Sequence, residues 1–200
     1  MPPAAPTAPT TVNEPGLLLN VAHTIARSRV NGPGERFVLW VQGCSLHCRG
    51  CWNPDTWSVR PRTLADPREL AADIVATEGI EGVTLTGGEP FEQAESLVPL
   101  VEQVRTAGLS VFAFSGYELS ELADGAHQRL LGLCDVAVLG RYRRDQRAEG
   151  LPWRGSANQT VHFLTDRYGP ADLDEAPECE VHIAEDGTLT VTGFPPDALR

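Results

Sequence analysis

Apolar residues along the chain follow two alternating rhythms. Short runs rich in Val, Leu, Phe and Trp, at Leu17 to Ala22, Phe37 to Gln42, Val83 to Thr86, Val111 to Phe114, Val136 to Leu139 and Thr160 to Leu164, read as largely buried strands. Segments with helical spacing lie between them. Asp66, Pro67 and Glu69 form an N-cap, a first-turn proline and an N3 carboxylate, opening a helix in which Leu70 and Ile74, and Ala71 and Val75, share a face as far as Gly79. Leu97, Leu100, Val101 and Val104 mark a second helix up to Gly108, with Pro99 placing its start near Leu97. A third helical stretch spans Tyr117 to Leu133 with a break near Gly125. Arg141 to Asn158 reads as a long loop, and Cys179 to Thr192 as a hairpin turning about Asp186-Gly187.

Strand and helix alternation implies a parallel sheet with right-handed crossovers. A complete eight-stranded barrel normally takes about 250 residues, and this chain has 200. The expected fold is therefore α/β, an open, incomplete (βα) barrel with a C-terminal β-hairpin extension. The first 15 residues are mostly Pro, Ala and Thr and read as a disordered tail. Residues 16–168 form the domain, and 169–200 the extension carrying the hairpin.

Composition narrows the chemistry. The formal charge of −11 argues against a nucleic-acid or anionic-membrane binder, and all 16 basic residues are Arg. Without lysine the chain can neither form a Schiff base nor place a P-loop lysine on a phosphate. No apolar run approaches the roughly 18 residues of a membrane span, and the N-terminus lacks the basic and apolar regions of a secretory signal, so a cytoplasmic location is expected. Three of the five cysteines, Cys44, Cys48 and Cys51, crowd together in C-x3-C-x2-C spacing directly after a strand, which suits metal binding better than disulfides. Two readings are open. Structural zinc would need a fourth ligand, for which His47, Cys134 or Cys179 is available; a 4Fe-4S cluster held by three thiolates would keep one iron open for a small molecule.

Gly32-Pro-Gly-Glu-Arg-Phe37, followed by Trp40-Val-Gln-Gly-Cys44-Ser-Leu-His-Cys48-Arg-Gly-Cys51-Trp-Asn53-Pro-Asp-Thr-Trp57, resembles the signature of radical S-adenosylmethionine activating enzymes. Leu85-Thr-Gly-Gly-Glu-Pro90 is similar to the GGEP element of that superfamily. Ser115-Gly-Tyr117, Asp135 to Gly140 and Trp153 to Gln159 resemble, in the same order, the later part of anaerobic ribonucleotide reductase activating proteins. The resemblance covers about residues 18 to 168.

It implies a barrel of the radical S-adenosylmethionine type with Cys44, Cys48 and Cys51 on a 4Fe-4S cluster. S-adenosylmethionine would chelate the open iron and be reductively cleaved to a 5′-deoxyadenosyl radical. That radical would take hydrogen from a glycine of a glycyl-radical enzyme, anaerobic ribonucleotide reductase, with a flavodoxin- or ferredoxin-type protein as reductant. Gly87 and Gly88 would let backbone approach the cofactor, Glu89 would accept from its ammonium group, and Arg141 would meet its carboxylate. Arg143, Arg144 and Arg147 extend a basic patch beside the site, suited to an acidic partner. The chain departs from the pattern at Gly50, where many members carry an aromatic, and at Leu139, where the strand commonly ends in an acidic residue. Alternatives are a tailoring enzyme of the same superfamily acting on a peptide or metabolite, and a non-enzymatic zinc or iron-sulfur protein. Trp52 and Trp57 read as packing residues, and Cys134 and Cys179 as buried apolar thiols.

Overall fold

The computed structural model describes residues 17–147, 149–173, 177–183 and 186–194; the expected N-terminal tail lies outside them. Seven strands form one sheet in the order β3-β1-β2-β4-β5-β6-β7. They are β1 (Leu19–Ser28), β2 (Arg36–Val41), β3 (Thr63–Ala65), β4 (Gly82–Gly87), β5 (Ser110–Ser115), β6 (Val136–Leu139) and β7 (Thr160–Phe163). Only β2, β4, β5 and β6 run parallel. β1 pairs antiparallel with both β2 and β3, and β7 closes the other side antiparallel to β6. The parallel expectation thus holds for the centre of the sheet. A separate hairpin, β8 (Cys179–Ile183) and β9 (Leu189–Gly193), stands where the sequence placed it.

Alternation along the central strands divides their residues between two cores. Leu39, Val41, Val83, Leu85, Val111, Ala113, Ala137 and Leu139 pack with α1 (Pro67–Ala76), α2 (Ala94–Thr106) and α3 (Gly125–Gly132). The intervening residues Val38, Trp40, Phe112, Val136 and Val138 form smaller clusters of their own. Arg36 alternates onto that second face and is fully buried. Its guanidinium donates to Thr84 Oγ1, Pro33 O, Ser110 Oγ and Val83 O at 2.8–2.9 Å, tying the Gly32-to-Phe37 motif to β4 and β5.

Helix starts are set by local chemistry. The Asp66 carboxylate accepts from the Arg68 and Glu69 N–H groups at the start of α1, and Asp124 does the same for Ala126 and His127 in α3, so Gly125 begins a helix. Helix α2 begins at Ala94, three residues before the start expected from Pro99. Ala94, Leu97, Val98, Leu100 and Val101 are all buried, and continuous burial of this stripe outweighs the one early hydrogen bond that proline removes.

Parallel register places the functional loops side by side. Trp40 lies opposite Thr86 and Val41 opposite Gly87, so the loop after β2 and the turn after β4 leave neighbouring strands at one level. Ser115 and Leu139, at the ends of β5 and β6, are likewise paired. The cysteine loop, the Gly87-Gly88-Glu89 turn and the Ser115-Gly116 turn therefore meet at the C-terminal edge of the parallel strands, the usual ligand position in α/β sheets.

Candidate functional site

The cysteine loop is clamped at both ends. Gly43 N–H donates to Thr56 O at 2.8 Å and Cys44 N–H to Trp57 O at 3.2 Å, while Gln42 Nε2 donates to Ser58 O at 2.7 Å. Glu92 holds the first turn through Ser45 N and Oγ, and the Leu46 side chain rests on Gly116, where an added Cβ would lie 2.4 Å from Leu46 Cδ1. Between these anchors Cys44, Cys48 and Cys51 all line one cavity of about 400 Å³, together with Gly87, Gly88 and Glu89. Cys134 and Cys179 do not line it. Cys134 is buried as expected, whereas Cys179 is half-buried at the start of β8.

Gly87 and Gly88 are fixed by the chain's own backbone. A Cβ on Gly88 would sit 2.1 Å from Gly43 O, and one on Gly87 2.7 Å from Trp40 Cα and Val41 N; Gly87 also has φ +99°. Gly88 N–H donates to Val41 O and Glu89 N–H to Gly43 O, both at 2.8 Å. Close approach at these glycines thus brings the β4 turn against the residue that precedes Cys44. Glu89 is 1 % exposed and accepts from Phe91 N–H at 3.0 Å, Ser115 Oγ at 2.8 Å and Gly116 N–H at 2.8 Å. Burial pushes its carboxyl up to about 7 against the pull of those three donors, with the nearby Glu92 charge adding to the rise. Its oxygens fasten the β4 turn to the β5 turn at the cavity wall.

Arg141 is placed differently. Its guanidinium pairs with both Glu121 oxygens, at 2.6 and 2.8 Å, and lies over the Tyr117 ring; it is not among the cavity-lining residues. Arg143 and Arg144 are exposed, and Arg144 lies beside Gly50, where an added Cβ would come within 3.0 Å of its Cδ. Gln159 organises the Trp153-to-Gln159 segment by accepting from Gly155 N–H and Ser156 N–H and donating to Gly140 O, and it also reaches the cavity.

Several wall residues escape a reading of the sequence. Trp52 and Trp57, expected only to pack, line the cavity, as do His23, Trp40, Asn53, Phe114 and Tyr142. His23 stacks on Trp40 with ring centroids 4.3 Å apart, and burial lowers its pKa. The alternation of β1 around His23 was the available signal, but β1 runs to Ser28, well beyond Ala22, where the apolar run of the sequence stops.

The donor set fits an iron-sulfur cluster. Burial raises the Cys44 thiol to about 11 and also raises Cys48, so these thiols hold protons until a bound metal displaces them. Among the described residues no three His, Cys, Asp or Glu side chains converge on a single-ion position; a cluster takes each thiolate on a separate iron and needs no such convergence. The cavity also suits a polar organic ligand. Trp57 Nε1 and Tyr142 OH are buried on its wall without a hydrogen-bond partner among the described residues.

Comparison with known proteins places the chain in a class and then in a family. A family model described as a 4Fe-4S single cluster domain matches residues 30–162, a span containing all three cysteines and the β4 turn. The anaerobic ribonucleoside-triphosphate reductase-activating protein of Vibrio cholerae is 39% identical over 144 residues, covering 68% of this chain and 92% of the relative. Its Escherichia coli K12 counterpart is 36% identical over 143 residues with the same coverage, and that of bacteriophage T4 35% over 145 residues, covering 68% and 89%. The chain belongs to the family of these reductase-activating proteins. No helix among the described residues is long and apolar enough to cross a membrane.

Proposed function

We propose that this protein activates an anaerobic ribonucleoside-triphosphate reductase by generating a glycyl radical on it, as a radical S-adenosylmethionine enzyme built on an open, incomplete (βα) barrel. The observation that carries the reading is the convergence of Cys44, Cys48 and Cys51 with the Gly87-to-Glu89 turn on one cavity, in a chain of this family. When bound, the 4Fe-4S cluster and S-adenosylmethionine supply one-electron cleavage to a 5′-deoxyadenosyl radical, which takes hydrogen from a partner glycine.

The chain's own residues bind, orient and exclude. Cys44, Cys48 and Cys51 would hold the cluster, and with no further cysteine lining the cavity among the described residues, the methionyl group of S-adenosylmethionine would complete its coordination. The Gly87-Gly88 segment would accept from the cofactor ammonium, while Glu89 keeps that segment rigid through Phe91, Ser115 and Gly116. Arg141 would reach the cofactor carboxylate only by leaving Glu121. Trp52, Trp57, Tyr142 and Phe114 shield the reacting centre from water. Exposed Arg143 and Arg144 beside the cysteine loop suit an acidic reductant of flavodoxin or ferredoxin type, in a cytoplasmic setting.

The test is anaerobic co-incubation of the reconstituted protein with the reductase, S-adenosylmethionine and a reductant. A glycyl-radical signal on the reductase supports the proposal. Cofactor cleavage without that signal would transfer the chain to tailoring of a peptide or metabolite.

A further inference from the structure

The C-terminal hairpin lies beyond residues 30–162, the span shared with the family model, yet it forms part of the cavity. Thr190, Val191, Thr192, Gly193 and Phe194 line it alongside the cysteines and Glu89. Its two faces are reversed relative to an ordinary packed hairpin. Val181, Ile183, Leu189 and Val191 alternate onto one face and are 40–73 % exposed, while Glu180, His182, Thr190 and Thr192 occupy the other and are half-buried or buried.

Specific contacts hold the polar face inward. Asn31 Nδ2 donates to Thr192 Oγ1 at 2.9 Å, and Glu180 Oε2 accepts from Ser28 Oγ at 2.7 Å and Arg29 N–H at 3.2 Å. Phe194 N–H donates to Glu178 O at 2.7 Å, and the Phe194 ring meets the edge of Trp52 at 5.4 Å and of Phe114 at 6.4 Å. Gly193, at φ +91°, has no room for a Cβ, which would lie 2.5 Å from Glu178 O. A hairpin fastened at both strands, with its threonine hydroxyls turned inward and Val181, Ile183 and Leu189 left in water, presents a polar wall to what occupies the cavity.

The chemistry of this wall selects one part of the ligand. Among the described residues, those the hairpin contributes to the cavity are uncharged: Thr190 and Thr192 offer hydroxyls and Phe194 an aromatic ring, with Val191 and Gly193 beside them. A zwitterionic methionyl group finds no opposite charge on these described residues and has no use for the ring. An adenosine gains from such a surface, because its base stacks on rings and its ribose exchanges hydrogen bonds with hydroxyls. We infer that the hairpin is the nucleoside wall of the S-adenosylmethionine site, with Phe194 against the base and Thr190 supplying a hydrogen bond. The inference rests on the function proposed above.

The experiment is equilibrium dialysis of the full-length, cluster-loaded protein against S-adenosylmethionine and, separately, against methionine. Phe194→Ala should weaken S-adenosylmethionine binding about tenfold or more, and Thr190→Val about fivefold, with methionine binding unchanged in both. Phe194→Tyr should restore most of the affinity, and Ile183→Ser on the outer face should have no effect. Equal weakening of methionine and S-adenosylmethionine would overturn the nucleoside assignment, as would unchanged affinity in both inner-face variants with their circular dichroism intact. A wild-type protein that loads its cluster but binds no S-adenosylmethionine would instead overturn the proposed function and the hairpin's role with it.

Discussion

Glu89→Gln should make the protein's stability depend on pH in a way that isolates this one carboxyl. Glu89 ordinarily would titrate near 4.5, but in the folded chain burial carries it to about 7. The folded state therefore holds this proton more tightly than the unfolded one, so Glu89 makes stability fall as pH rises from about 4.5 to about 7 and leaves it level above. At 1.36 kcal/mol for each tenfold change, that rise amounts to about 3 kcal/mol. Glutamine cannot ionise, so this contribution disappears in the variant. A constant penalty of about 1–3 kcal/mol enters in its place, because the amide nitrogen must face one of the three donors from Phe91, Ser115 and Gly116. Urea unfolding of both chains without cluster, followed by circular dichroism at pH 5, 6, 7 and 8, separates the two terms. The difference between variant and wild type should move in the variant's favour by about 2–3 kcal/mol from pH 5 to pH 8, because pH 5 already lies above the unfolded value near 4.5. A difference constant to within about 0.5 kcal/mol would refute the assignment of a costly buried charge at Glu89.

Other consequences can be measured independently. Gly88→Ala places a Cβ 2.1 Å from Gly43 O, so it should displace the cysteine loop, and iron and sulfide analysis after reconstitution should find the cluster largely lost while the helical circular dichroism persists. Reversing the charge of Arg143 and Arg144 should slow S-adenosylmethionine cleavage with the physiological protein reductant and leave the rate with a small chemical reductant unchanged; equal slowing with both would contradict a docking role. For Asp135, burial acts upward but hydrogen bonds from Val111 N–H, Thr165 and Arg105 outweigh it and hold the carboxyl below its usual value. The stabilisation from Asp135 is therefore present above the unfolded value near 3.9 and lost as pH falls through the folded one, so Asp135→Asn should cost about 2–3 kcal/mol at pH 7 and less at pH 3 in the same unfolding assay.

Much of the site could be read from the sequence because its chemistry is local. Three cysteines fall within eight consecutive residues, Cys44 to Cys51, and a strand before them fixes where the loop emerges. Likewise Asp66 announces α1 through the backbone N–H groups two and three residues on, whereas the same cap at Asp124 starts a helix at Gly125, where the sequence pattern read only a break. What was not legible depends on register and tertiary packing. The glycines after β4 suggested room for a ligand, whereas their nearest neighbour is the backbone around Gly43, a contact created by parallel pairing of β2 with β4. Arg141 has the charge to meet a carboxylate, and Glu121, twenty residues earlier, supplies one. Pro99 signalled a helix start that buried side chains on either side of it overrode. His23 and the hairpin reach the cavity only through strand pairings and anchoring contacts that no short motif encodes.

The central claim is that Cys44, Cys48 and Cys51 hold a cluster with one iron open to S-adenosylmethionine. Its most direct test is the anaerobic EPR spectrum of the reconstituted, reduced protein, recorded before and after adding S-adenosylmethionine. The account predicts a reduced 4Fe-4S signal that changes shape on addition and is missing when the three cysteines are replaced by alanine. A cluster signal that ignores the cofactor, or one that survives without those cysteines, would contradict it.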